Sequence, residues 1–341
     1  MARIGFDGLA IAADGKGHAR TERHAVEALV ARAEHELVVF VREPVEIAGA
    51  EVVVVGRGPA LDWELRGMPR AARAHRLDAV LSLSERLPLA GGPPVVVWLF
   101  EAPVHRIAES RRHGASLRVR ASDAVTAALW KRSLRRARHV AMGSRATESE
   151  VLTAVPALAG RTSVVYPALA PGFGPGPAPD RGRYVFHLGS SDPRDNTATA
   201  VEACRRAGIR LLVAGGGARA DAGPELELLG RVSDAELVEL YRGAAAFLDP
   251  SLYEGFGYGV LEAMACGAPV VASGTTSIPE VTGDAGLLCD PRDPEALAAA
   301  LRRVLDEDGL AAGMRERGLT QAARFTREAT ADGLSAALAR L

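Results

Sequence analysis

Short runs of β-branched and aliphatic residues alternate with longer helical stretches along nearly the whole chain, and no other feature constrains the fold as tightly. Strand, helix and strand in succession close as a parallel pair with a helical crossover, so the pattern predicts an α/β protein. In the first half, strands are expected near Arg3 to Phe6, Leu37 to Val41, Glu51 to Val55, Ala79 to Leu83, Val95 to Leu99 and His139 to Met142, with a helix near Glu22 to Ala33.

From Pro167 to Pro179 the periodicity stops and proline and glycine dominate, as an interdomain linker reads. A second alternating series follows, with strands near Tyr184 to Leu188, Arg210 to Ala214, Ala246 to Leu248, Pro269 to Ala272 and Gly286 to Cys289. The 341 residues exceed one ordinary core and fit two domains. The expected division is a first domain over 1–168, a linker over 169–182 and a second domain over 183–324. Helices near Pro294 to Leu305 and Thr326 to Ala339 have no following strand, and the terminal one, 325–341, is expected to complete the first domain.

A formal net charge of −1 gives no electrostatic reason to expect nucleic acid. Cys204, Cys266 and Cys289 are odd in number and scattered, which excludes a disulfide framework and zinc spacing and suits a reducing cytoplasm. No charged-then-apolar leader opens the chain and no run approaches the roughly 20 apolar residues of a membrane span.

The chemistry concentrates in Glu254-Gly255-Phe256-Gly257-Tyr258-Gly259-Val260-Leu261-Glu262. Three glycines let the backbone approach a ligand, the run from Val260 opens a helix whose N-terminus favours anions, and two carboxylates can accept hydrogen bonds from hydroxyls. This is the composition of a site for a phosphorylated, hydroxyl-rich ligand.

Around it stand, in order, His187-Leu188-Gly189-Ser190-Ser191-Asp192-Pro193-Arg194-Asp195-Asn196, then Leu212-Val213-Ala214-Gly215-Gly216-Gly217, then Leu229-Gly230-Arg231-Val232-Ser233, then Asp249-Pro250-Ser251-Leu252-Tyr253 and finally Ile278-Pro279-Glu280-Val281. This ordered set resembles the retaining, nucleotide-sugar-dependent glycosyltransferases of family 4 (glycosyl transferases group 1), over roughly the second half of the chain. The resemblance implies the GT-B architecture: two Rossmann-like domains with parallel sheets facing a cleft. It further implies that Glu262 accepts hydrogen bonds from the donor ribose and that Glu254 lies near the donor sugar. Phe256, Gly257, Tyr258 and Gly259 then meet the sugar hydroxyls and the diphosphate, Gly189, Ser190 and Asn196 line the diphosphate loop, and Arg231 and Val232 flank the base. The base is of the UDP or GDP type.

At the diphosphate the chain departs from the family. Where a lysine is expected it has Asp195, and a carboxylate about 4 Å from phosphate would repel it by roughly 4 kcal/mol at an effective dielectric of 20. Arg194 is therefore expected to supply the charge, with Asp195 turned away to cap the following helix.

The first half carries a weaker match. Ile4-Gly5-Phe6-Asp7-Gly8 and Gly15-Lys16-Gly17-His18-Ala19-Arg20 resemble the family's opening strand and glycine loop. Where relatives place a histidine followed by an acid, the chain keeps only Glu101, with His105 four residues on. Asp7, Gly17, His18, Glu101 and His105 are thus the acceptor or cleft candidates. Segment 106–139 is arginine-rich, and contact with an anionic membrane at the inner face of the plasma membrane, a phosphate-bearing acceptor or a solvated helix face accounts for it.

By this resemblance the chain is a hexosyltransferase-type enzyme without cofactor or metal that moves a sugar from a nucleoside-diphosphate donor to an acceptor hydroxyl with retention. The acceptor is a glycan, a lipid-linked molecule or a small molecule. A non-catalytic nucleotide-sugar-binding protein or inactive subunit is the alternative that the missing lysine raises, and an epimerase of the same architecture is a third.

Overall fold

The computed structural model describes residues 1–11, 18–56, 58, 62–83, 92–102, 117–177, 183–217 and 225–341. The chain forms two compact units, Met1–Ala168 with Thr326–Leu341 and, between these segments, Leu169–Phe325.

The first unit holds a seven-stranded parallel sheet in the order β3-β2-β1-β4-β5-β6-β7. Its strands are β1 (Arg3–Asp7), β2 (Glu36–Val41), β3 (Glu51–Val54), β4 (Ala79–Ser82), β5 (Val95–Leu99), β6 (His139–Met142) and β7 (Thr162–Val164). Apolar residues run almost continuously in the inner strands β2, β4 and β5 because both faces are covered. In β2, Leu37, Val39 and Val41 join one core with Ile4, Phe6, Leu81, Val96 and Trp98. Val38 and Phe40 point the other way, into a core with Val97, Leu99, Trp130 and Leu134.

Helix α1 (His18–Arg32) covers the first face with Ala25, Val26 and Leu29. The second face is covered by α2 (Met68–Ala74), which continues a π-helical turn over Trp63–Gly67, by α3 (Leu117–Leu134) and by α4 (Arg145–Ala154). The terminal helix of the chain belongs to this unit: Leu334, Ala337 and Leu338 pack beside α1 on the first face.

The second unit holds a six-stranded parallel sheet in the order β10-β9-β8-β11-β12-β13. The strands are β8 (Val185–Leu188), β9 (Leu211–Ala214), β10 (Leu226–Gly230), β11 (Ala246–Asp249), β12 (Val270–Ser273) and β13 (Gly286–Cys289). Between them run α5 (Thr197–Ala207), α6 (Asp234–Gly243), α7 (Tyr258–Ala265) and α8 (Ile278–Thr282), and α9 (Pro294–Asp306), α10 (Leu310–Ala322) and α11 (Arg327–Leu338) follow. Ser233 and Glu236 form a reciprocal capping box on α6, and Asp293 caps α9 ahead of Pro294.

One face of the second sheet packs Val185, Val213, Leu248 and Val271 against α5 and α9. On the other, Phe186, Tyr241 and Phe247 meet edge to face or tilted at 5.2–5.9 Å. Phe173 reaches Tyr241 at 6.2 Å, and Arg242 donates to the Gly174 carbonyl at 2.9 Å, so the middle of the proline- and glycine-rich stretch is held on the second unit.

Both sheets are doubly wound, and their strand order reverses between β1 and β4 and between β8 and β11. In open parallel sheets ligands bind outside the carboxyl ends of the strands at such reversals. That rule selects two places, one in each unit.

Candidate functional site

In the second unit the residues singled out by sequence emerge at the carboxyl edge of the sheet. The loop after β8 carries Gly189 to Asn196, and the loop after β11 carries Glu254 to Gly257. The two are tied directly, Leu252 donating its N–H to the Arg194 carbonyl at 2.7 Å.

Gly189 and Gly215 are in backbone contact: a Cβ on Gly215 would lie 1.6 Å from the Gly189 carbonyl oxygen, and Gly215 has φ 128°. Only glycine fits there. Beneath them His187 is buried, donating Nδ1–H to the Leu248 carbonyl at 2.9 Å while Nε2 meets the Thr197 hydroxyl at 3.1 Å. Burial lowers its pKa and favours the neutral imidazole, and the Leu248 carbonyl, which can only accept, sets the proton on Nδ1. His187 thereby ties β8 to β11 and to the first residue of α5.

The turn Pro193–Asp195 is a short 3₁₀ segment capped by Asp192, whose Oδ1 accepts the Arg194 N–H at 2.9 Å. The same carboxylate takes the Arg194 guanidinium through Nε at 3.0 Å and Nη2 at 2.7 Å, and that guanidinium lies 5.8 Å from the Tyr253 ring centre. Arg194 is thus present at the loop, with its charge already balanced by a neighbour.

Asp195 does not cap the next helix. It accepts hydrogen bonds from the hydroxyl and N–H of Ser190; burial raises its pKa, the Asp192 charge adds to the rise, and the Ser190 bonds oppose it. The residue before α5 is Asn196, in the left-handed region at φ 56°. Its amide donates to the carbonyls of Pro250 at 2.9 Å and Pro291 at 2.7 Å, and its Oδ1 accepts the Thr199 hydroxyl at 2.7 Å. Asn196 knits three loops together with groups that are then committed.

Gly257 starts α7 with φ 98°, and a Cβ there would lie 2.8 Å from Ile278 Cδ1. Glycine lets the chain turn sharply into the helix, whose N-terminal end carries the positive pole of its dipole. Phe256 turns its ring inward against Tyr258 at 5.1 Å and Phe325 at 5.6 Å. Glu262 lies in the second turn of α7, only 2% exposed, and its Oε2 accepts the Tyr241 hydroxyl at 3.3 Å. Glu254 is half-buried; its N–H is accepted by Thr276 Oγ1 at 3.1 Å and its carbonyl accepts the Ser277 hydroxyl at 2.8 Å.

Arg231 and Val232 follow β10, where the Arg231 chain lies close over Gly216. Arg231 is exposed and Val232 half-buried.

In the first unit, Asp7 ends β1 at the reversal point. It accepts Trp63 Nε1–H at 3.0 Å and the Ser82 hydroxyl at 3.1 Å. Burial raises its pKa to about 6, with the Glu64 charge adding. Glu22 on α1 goes further, to about 8, through burial and then the charge of Asp7, although the Ala10 N–H bonds to it. Glu101 lies half-buried just past β5, in the same unit as Asp7. Gly17 and His105 fall outside the described residues, as does the side chain of His18, whose backbone begins α1.

Sequence reading missed Thr276 and Ser277 around Glu254, Tyr241 beside Glu262, Asp192 on Arg194, and Glu22. The Asp192-Pro193 and Thr276-Ser277-Ile278-Pro279 turn signatures were available signals for two of these. Among the described residues, no group of three or more His, Cys, Asp or Glu side chains is placed to hold a metal ion, and no helix is long and apolar enough to cross a membrane.

Residues 182–307 match the family described as Glycosyl transferases group 1. The second unit carries the group 1 glycosyltransferase match. O-antigen chain mannosyltransferase B from Escherichia coli is 48% identical to this chain over 103 residues, which are 30% of this chain and 27% of that protein. D-inositol 3-phosphate glycosyltransferase from Acidothermus cellulolyticus is 34% identical over 184 residues, 46% of this chain and 40% of that protein. The chain therefore spans less than half the length of these two curated relatives.

Sucrose-phosphate synthase from Thermosynechococcus elongatus superposes with a TM-score of 0.77 at 21% identity, covering 100% of this chain and 99% of that one. Anabaena HepE, solved in complex with UDP and glucose, gives a TM-score of 0.74 at 17% identity, with 100% of both chains covered. These likenesses are of fold, and the fold is GT-B, two parallel-sheet α/β units, the second of which contains the group 1 match.

Proposed function

We propose that the protein is a retaining glycosyltransferase that transfers a hexosyl group from a nucleoside-diphosphate sugar of the UDP or GDP type to an acceptor hydroxyl, without a divalent cation. One observation carries the reading: Gly189, Arg194, Glu254 and Gly257 lie on the loops that leave β8 and β11, the two strands between which the sheet order reverses, within the group 1 match.

In this reading the ribose hydroxyls hydrogen-bond Glu262, and Tyr241 orients that carboxylate. The diphosphate meets the first amides of α7 and the Gly189–Ser190 turn, and Glu254 orients the sugar. Arg231 and Val232 border the base. Leaving-group charge is met by the helix amides and by Arg194 once it is shared with or released from Asp192. Asp7 and Glu101 of the first unit take the acceptor. The attacking hydroxyl passes its proton to the departing phosphate oxygen, so no dedicated base is required.

A second reading, of a non-catalytic nucleotide-sugar-binding protein, is favoured by the Arg194–Asp192 pair, which leaves the loop's arginine balanced before any ligand arrives. One assay separates the two: incubation with UDP- and GDP-sugars and an acceptor panel, read as nucleoside diphosphate release, with and without chelator. Release with an α-linked product from an α-linked donor supports retaining transfer. Binding without release across the panel supports the second reading.

For location we propose the cytoplasm, with contact to anionic lipid through exposed Arg132, Arg135, Arg136 and Arg138. Cosedimentation with phosphatidylglycerol vesicles but not phosphatidylcholine vesicles tests it.

A further inference from the structure

The loop after β12 holds Thr276 at φ 56°, inside the left-handed region. A β-branched residue there is a genuine outlier, because its Cβ substituents crowd the following carbonyl, whereas glycine or asparagine adopts the same backbone readily. Conformations of this kind persist when surrounding structure over-determines them, and they cluster at functional sites.

The hydroxyl supplies what glycine cannot. Thr276 Oγ1 accepts the Glu254 N–H at 3.1 Å and donates to the Thr275 carbonyl at 2.8 Å. The next residue, Ser277, is fully buried and donates to the Glu254 carbonyl at 2.8 Å. Both polar groups of the Glu254 main chain are thus held by adjacent side chains of one loop. The base of that loop is fixed in turn by Ser273, whose Oγ pairs with Thr275 Oγ1 at 2.8 Å and accepts the Thr275 N–H at 3.3 Å. The left-handed turn at Thr276 brings the two grips to opposite sides of one residue.

We propose that Thr276 is a positioning residue, held in an unfavourable backbone conformation so that its hydroxyl fixes the Glu254 main chain and presents the Glu254 carboxylate to the donor sugar. The proposal rests on the glycosyltransferase reading of the second unit.

Its test compares Thr276→Gly, Thr276→Ser and Thr276→Val in the full chain. Each variant is read by thermal unfolding, by kcat and KM for the nucleotide sugar, and by calorimetric Kd for free UDP or GDP and for the intact nucleotide sugar. Thr276→Gly removes the backbone penalty and the hydroxyl together. Its Tm should equal or exceed that of the unmodified protein, its affinity for the free nucleotide should stay within about twofold, and kcat should fall roughly 10- to 100-fold through misplacement of the sugar. Thr276→Ser should restore turnover and Thr276→Val should not.

A Thr276→Gly protein with unaltered kcat overturns the proposal. So does one that loses Tm and free-nucleotide affinity in step, since that marks a purely structural role. If the unmodified protein neither binds nor turns over any nucleotide sugar, the glycosyltransferase reading itself fails and takes the proposal with it. Turnover by the unmodified protein with none of the variants impaired removes the proposal alone.

Discussion

Arg194 and Asp192 form a closed pair two residues apart, with guanidinium nitrogens 2.7 and 3.0 Å from the carboxylate. The loop's one strong cation is therefore preoriented, and its net charge at the site depends on whether a ligand phosphate competes with Asp192. Charge-assisted hydrogen bonds to phosphate contribute about 1.5 to 3 kcal/mol each. Arg194→Ala should cut turnover roughly 10- to 100-fold, while Asp195→Ala, whose carboxylate is occupied with Ser190, should cut it far less. Equal, minor losses in steady-state kinetics would remove Arg194 from the mechanism.

The contact between Gly215 and Gly189 makes a sharper prediction about stability. With φ 128° and a virtual Cβ 1.6 Å from a carbonyl oxygen, Gly215→Ala forces the two loops apart. We expect a loss above about 3 kcal/mol in denaturant unfolding. Gly160 has φ 77° but no atom within 4 Å of its virtual Cβ, so Gly160→Ala should cost only about 1–2 kcal/mol. Similar losses in the two variants would contradict the close approach.

In the first unit, Glu22 and Asp7 give stability a pH dependence. A carboxyl whose pKa is higher folded than unfolded binds its proton more tightly in the folded state, so stability falls as pH rises between the two values. For Glu22 that window runs from 4.5 to about 8, and for Asp7 from 3.8 to about 6. Tm should decline from about pH 5 to pH 8, and Glu22→Gln should flatten the decline and raise Tm at pH 8. A variant whose Tm follows the parent across that range would refute the assignment.

The Tyr241 hydroxyl on Glu262 predicts a binding effect separable from folding. Tyr241→Phe keeps the aromatic cluster and removes one hydrogen bond, so unfolding should change by about 1 kcal/mol or less. If Glu262 meets the ribose as proposed, nucleotide affinity should fall about three- to tenfold, because that carboxylate loses its anchor. Unchanged Kd in calorimetry would mean that Glu262 is oriented by other contacts.

Much of the architecture could be read from the chain because parallel strands covered on both faces must be apolar throughout. β2 and β5 show this directly, with Leu37 to Val41 and Val95 to Leu99 buried without exception. β10 escaped notice for the opposite reason: an edge strand with a half-exposed face, Leu226 to Gly230 alternates leucine with Glu227 and carries no buried stripe. The three residues of β7 are too few for any periodicity. Glu254, Gly257 and Glu262 stood out as a candidate site because their residue types suit one ligand chemistry.

Their supports were less visible. Thr276 gives no sign in the sequence of its left-handed backbone, Tyr241 reads as an ordinary core aromatic, and Asp192 looks like a turn residue. Asp195 was misplaced because an aspartate ahead of a helix suits a cap by default, whereas here a 3₁₀ turn directs it back to Ser190.

The return of α11 to the first sheet has a consequence for how the molecule is made. Leu334 and Leu338 fill the same core as Phe6 and Trp98, so that core lacks a wall until more than 300 residues have followed β1. During synthesis the second unit, one uninterrupted segment, has all its parts before the first does. The earlier segment must wait with part of that face covered only by α1, so removing α11 should destabilise the first unit and leave the second intact.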